Sequence, residues 1–110
     1  MFRATTPTNV FVFDVNPVET FKTILITYAQ DNQIVLEKGK SDLTVTEGTG
    51  CDNETVYEAA LVLTQEETKL FNAQSAVKIQ IRALTYEDEV VASEKMTVSV
   101  KDVLDDQVLT

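Results

Sequence analysis

From Val77 to Ala83 the chain reads Val-Lys-Ile-Gln-Ile-Arg-Ala, with apolar and polar residues alternating without a fault. A repeat of two places Val77, Ile79, Ile81 and Ala83 on one face of a strand and Lys78, Gln80 and Arg82 on the other. A helix would scatter the two classes around its surface, so this stretch is constrained to a half-buried strand. Met96-Thr97-Val98-Ser99-Val100-Lys101 repeats the pattern. Phe11, Phe13 and Val15 share a face near the start, Ile24, Ile26 and Tyr28 form another row, and Tyr57, Ala59, Leu61 and Leu63 a third.

Turn signals punctuate these rows. Asp31-Asn32 separates a strand ending near Ala29 from Ile34-Val35-Leu36, which predicts a hairpin. Residues 39–42 break that second strand before Leu43-Thr44-Val45, and the stretch from Glu47 to Glu54 reads as the longest polar loop. Glu87-Asp88-Glu89 reads as the tip of a hairpin, and because it lacks Gly it calls for a longer or type I-based connection. Thr64-Gln65-Glu66-Glu67 has the spacing of a capping box, followed by Leu70 and Phe71, and predicts one short helical turn over residues 65–71. About seven strands at this spacing predict an all-β fold, a small antiparallel immunoglobulin-like β-sandwich. A partly open barrel is the second choice. The expectation is one domain over residues 1–110, because no linker, repeat or low-complexity tract divides the chain.

Composition narrows function mainly by exclusion. Nine Lys and Arg against 18 Asp and Glu give a net charge of -9, which disfavours nucleic acid and anionic lipid as partners. The chain has no His and one Cys, so Ser–His and Cys–His catalytic devices and thiolate or imidazole metal cages are ruled out. Cys51, between Gly50 and Asp52 with no basic neighbour, reads as an incidental thiol. The N-terminus makes a poor secretory signal and no window is apolar enough for a membrane helix, so synthesis in a reducing cytoplasm is expected.

The remaining chemistry is carboxylate chemistry. Asp105-Asp106, Glu66-Glu67 and Glu87-Asp88-Glu89 read as solvated charge clusters rather than as acid–base pairs, and no phosphate loop or dinucleotide fingerprint can be drawn. No catalytic residue, cofactor or metal ligand is assigned. Glu47 with Asp52-Asn53-Glu54 supplies oxygen ligands of the kind calcium takes, but no twelve-residue ligand pattern is present, and loop solvation is the preferred reading. Lys78, Arg82, Lys95 and Lys101 fall on outward rows, where cross-strand pairing with acidic residues is the preferred reading over a binding stripe.

Five stretches, TYAQDNQIVLEK, LTQEETKLF, VKIQIRALT, VVASEKMTVSV and KDVL, resemble small β-sandwich proteins encoded in prophages of Gram-positive bacteria. They are more distantly similar to the N-terminal domain of phage baseplate upper proteins. The resemblance spans roughly residues 20–109 and lies in the order of elements: a hairpin, a strand entering LTQEET, and a final hairpin. It departs at that last hairpin, where an Asp-Gly type turn is expected and Asp88-Glu89 stands. It implies a structural component of a virion tail or baseplate region, made in the bacterial host cytoplasm and possessing no catalytic residue to transfer.

The expected mode of action is therefore protein–protein contact, with other copies or other virion components as partners. The candidate interaction surface is Val10 and Val12 on the first strand, Tyr86 beside the last hairpin turn, and Val103, Leu104, Val108 and Leu109 in the C-terminal tail. The same tail also fits a final strand. The competing function is a carbohydrate- or small-ligand-binding sandwich, for which Tyr86 is the best exposed ring.

Overall fold

The computed structural model describes residues 1–2, 4–73, 75–93, 96–98 and 109. Its described elements are β1 (Thr8–Phe13), α1 (Pro17–Thr20), β2 (Phe21–Gln30), β3 (Gln33–Gly39), β4 (Thr44–Thr49), β5 (Thr55–Val62), α2 (Gln65–Thr68), β6 (Val77–Thr85), β7 (Val90–Ala92) and β8 (Met96–Val98). One sheet has the order β1-β5-β4. The other has the order β3-β2-β6, with β7 and β8 both pairing to the far side of β6. Every described pairing is antiparallel. The two layers form the small all-β sandwich that the two-residue periodicity predicts.

The rows read from the sequence become its interior. Ile24, Ile26 and Tyr28 of β2, Ala59 and Leu61 of β5 with Leu63 beyond it, and Val77, Ile79, Ile81 and Ala83 of β6 are buried in one cluster with Phe11. Each large side chain sequestered this way contributes ~1.5–3 kcal/mol. The row at the start of the chain is shorter than expected. Phe11 is buried and Phe13 partly so, but Val15 falls beyond β1 and is exposed. There the chain turns into α1, which the alternation did not foretell: Asn16 Oδ1 accepts the Val18 N–H at 3.1 Å and Pro17 takes the first helical position.

The turns follow from their residues. Asp31 and Asn32 both adopt positive φ, 53° and 63°, giving the two-residue type I′ hairpin that matches the twist of β2 and β3. At the β6–β7 connection the Asp88 N–H donates to the Thr85 carbonyl at 3.1 Å and the Thr85 N–H to the Glu89 carbonyl at 2.8 Å. Asp88 has φ 63°, so an aspartate takes the left-handed position after an i to i+3 turn. This is the type I-based loop expected of a hairpin tip without glycine.

One expectation is overturned. Residues 47–54 are not a long polar loop: β4 runs through Glu47 and Gly48 to Thr49, paired with β5 down to Thr49 opposite Thr55. Only a short turn at residues 50–54 remains, closed by the Gly50 N–H to the Glu54 carbonyl at 2.8 Å. Gly50 is required there, because a Cβ would stand 2.9 Å from Val56 Cγ1. The physical reason for the misreading is that β4 is an edge strand, so most of its side chains face water and a polar composition is tolerated.

The final edge is split. β7 pairs with Arg82–Leu84 of β6 and β8 with Val77–Ile79, so the two occupy one strand position interrupted at Ser93. Ser93 bridges the interruption. Its N–H donates to the Ile81 carbonyl at 2.8 Å, while its Oγ accepts the Ile81 N–H at 3.0 Å. Of the repeat read over residues 96–101, the backbone is a strand as far as Val98 and the remainder lies outside the described residues.

Candidate interaction surface

The expected helical turn forms where the capping box placed it, as the single turn Gln65–Thr68, with i to i+3 bonds carrying the bend on through Phe71. Thr64 Oγ1 accepts the Glu67 N–H at 3.2 Å, and Glu67 Oε1 accepts the Thr64 N–H at 2.8 Å. Lys38 of β3 forms an ion pair with Glu67. Partial burial pushes the Glu67 carboxyl up, but the hydrogen bond from Lys38, the Thr64 N–H and the Lys38 charge outweigh it and hold the group below its ordinary value. Phe71 is buried against the Tyr28 ring, centroids 6.0 Å apart, and Thr68 Oγ1 both accepts from the Thr5 N–H at 3.1 Å and donates to the Thr5 carbonyl at 3.0 Å. Together these contacts fasten α2 over the β3 flank of the sandwich.

The other flank is different. Between β1 and β7 runs a groove of about 400 Å³ lined chiefly by Phe11, Phe13, Phe21, Ala83, Val91 and Met96. Among the described residues no charged side chain lines it. The free side of β1 borders this groove, because among the described residues β1 pairs with β5 alone.

The outward face of β1 carries the first two predicted residues. Val10 and Val12 are 53% and 65% exposed, and their cross-strand neighbours on β5 are Ala60 and Glu58. Register adds a residue that the sequence reading missed. Val62, 55% exposed, stands opposite Thr8 and therefore diagonal to Val10 on the same face. Alternation within β5 shows that Val62 faces outward, but only pairing shows that it joins Val10.

The remaining candidates are placed elsewhere. Tyr86 is exposed in the β6–β7 turn beside Glu87 and Asp88, on the other sheet from β1. Leu109 has an exposed side chain, but its backbone is held at α2: its N–H donates to Gln65 Oε1 at 2.6 Å and its carbonyl accepts from Gln65 Nε2 at 2.9 Å. Val103, Leu104 and Val108 lie outside the described residues.

The expected ion pairs of the basic stripe are also corrected. Arg82 stands across from Leu25 and Ala92, and Lys78 across from Ala29 and Thr97, so no acidic residue faces either one directly. The charges are on the outward row as read, but a strand's own alternation says nothing about which residues its neighbours bring alongside. Lys95 and Lys101 lie outside the described residues.

Glu66, Glu87, Asp88 and Glu89 are exposed. Among the described residues no three acidic or thiol side chains stand close enough to hold a metal ion. Glu47, weighed for calcium, sits in β4 opposite Tyr57. Tyr28 is fully buried, and loss of water pushes its phenol up to about 12, the hydrogen bond from Asn9 opposing this and the Glu67 charge adding to it. The phenol stays protonated and serves as the acceptor for Asn9 Nδ2 at 2.9 Å. No described helix is long and apolar enough to cross a membrane. No protein-family profile and no curated protein matches the chain.

Proposed function

We propose that the chain is a non-enzymatic assembly module of a phage or prophage particle, in its tail or baseplate region, acting through protein–protein contacts. The observation that carries this reading is the apolar row of Val10, Val12 and Val62 beside an uncharged strand edge, on a chain whose net charge is -9. A strongly acidic surface keeps proteins apart, so a neutral apolar strip within it is where contact is least opposed. The likeness of residues 20–109 to prophage-encoded sandwich proteins supplies the setting, and the absence of His supports a role without acid–base chemistry near neutrality.

The test is fractionation. A tagged copy expressed in a Gram-positive lysogen is followed after induction through gradient purification of particles. The expected result is that the chain sediments with tails or whole particles, and that Val62→Lys weakens that association while circular dichroism stays unchanged. Recovery of the chain only among free proteins, in every particle preparation, would overturn the assignment.

A further inference from the structure

The outer face of the β3-β2-β6 sheet is furrowed beside the Asp31–Asn32 turn. Cross-strand partners share a face, and register sets Ala29 between Ile34 and Lys78, and Thr27 between Glu37 and Gln80. Two short side chains of the central strand thus lie between longer ones on both sides. Val35 is the extra residue of the bulge that brings Ile34 opposite Ala29, and it bends β3 where the furrow opens. The result is a trough of about 430 Å³ whose described lining includes Thr27, Ala29, Asn32, Gln33, Ile34 and Lys78. That volume lies within the ~300–1,000 Å³ of small-ligand sites.

Its polar groups are left over from folding. The side chains of Thr27, Asn32, Gln33 and Lys78 form no hydrogen bond or ion pair with a described residue. Asp31 also borders the trough, with one carboxylate oxygen accepting from Ser75 Oγ at 3.3 Å. The class of ligand follows from charge and hydrogen bonding. Lys78 opposes a cation, while Asp31, on a chain of net charge -9, opposes an anion. Two carboxamides and a hydroxyl both donate and accept, and a neutral ligand built of hydroxyls matches that set. Ile34, 64% exposed, and Ala29 add apolar surface beside them. Hydroxyls around a rim and C–H groups on a face are the chemistry of a sugar ring.

We infer that this trough binds a neutral saccharide. Lys78, Asn32 and Gln33 hold its hydroxyls, Asp31 accepts from one, and a C–H face rests on Ile34. This activity goes beyond the assembly reading and does not rest on it. It is also separate from the ring of Tyr86, which follows the last residue of β6, whereas Lys78 stands at the strand's start.

A glycan array carrying neutral hexose, deoxyhexose and N-acetylhexosamine oligosaccharides beside sialylated and sulfated ones, probed with the full chain, tests this. Retention on neutral glycans is expected, and titration with the retained glycan is expected to move the Asn32 and Gln33 side-chain amide resonances in proton–nitrogen NMR spectra. Lys78→Ala and Ile34→Ala, both at exposed positions, are each expected to raise the dissociation constant by roughly tenfold or more. Asn32→Gly removes one amide while keeping a residue that accepts the positive φ of the turn, and it keeps the measurement decisive should either of the others unfold. Tyr86→Ala is expected to leave binding unchanged. No retention on any neutral glycan, preference for acidic glycans, or binding that Tyr86→Ala abolishes and the trough variants leave intact would each overturn the inference. So would tighter binding of free amino acids, whose opposite charges use Lys78 and Asp31 and leave the amides idle.

Discussion

The two flanks of the sandwich solve the same problem in opposite ways. Any pair of stacked sheets exposes its interior along the sides. On the β3 flank the chain covers that side with its own material: a capped turn of helix, the Lys38–Glu67 pair, and Phe71 laid on Tyr28. On the β1 flank the described residues form a neutral strand and an apolar groove. Local polar bonds fix the first flank, whereas on the second no charge marks the edge. The contrast shows which side the fold closes with its own polar bonds and which it borders with an uncharged strand.

The largest test of this difference compares two phenylalanines. Phe71→Ala, at the closed flank and 1% exposed, is expected to cost ~3–5 kcal/mol in chemical denaturation, because it removes a fully enclosed ring. Phe13→Ala, half-buried at the groove, is expected to cost clearly less; equal costs would erase the distinction between the flanks.

Next in size is the alkaline limit. The Tyr28 phenol is raised from 10.0 to about 12 in the fold, so the folded chain holds its proton where the unfolded chain releases it. Stability from this group is therefore whole below pH 10 and declines as pH rises toward the folded value, by ~1.4 kcal/mol for each pH unit between them. Tyr28→Phe is expected to flatten that decline in a pH series of denaturation curves.

Smaller again is the cap. Thr64→Ala is expected to cost ~0.5–2 kcal/mol through the lost acceptor for the Glu67 N–H. The depressed Glu67 carboxyl places its own loss on the acid side: the contribution is present near neutrality and fades as pH falls through its folded value, below the ordinary 4.5. Glu67→Gln should remove that acid dependence in thermal melts across the same range. Smallest of all, Val12→Lys is expected to change monomer stability by no more than ~0.5 kcal/mol, as for other exposed substitutions.

What the sequence made legible was whatever depends on a strand's own faces. The rows at Ile24-Ile26-Tyr28 and Val77-Ile79-Ile81-Ala83 are inward as read, because burial on one side imposes a period of two whichever neighbours lie alongside. The capping box at Thr64 and the glycine-free turn after Thr85 were legible because they close within a few residues. What stayed hidden depends on pairing between distant segments. Val62 joining Val10, Arg82 facing Leu25, and Lys38 reaching Glu67 each follow from register or packing that alternation does not encode. Only the second half of β4, from Glu47 to Thr49, was hidden for another reason: a strand with water on most of its side chains carries the composition of a loop.

The contact between Asn9 and Tyr28 deserves a last consequence. It joins the first strand of one layer to the second strand of the other, and the phenol it serves has no other described hydrogen bond. Apolar layers alone would slide over one another at little cost. Here any such slip leaves a hydroxyl stranded in hydrocarbon, so a single amide acts as the alignment pin of the whole assembly of strands. Tolerance to mutation at position 9 should accordingly follow the ability of the new side chain to donate a hydrogen bond, far more than its size.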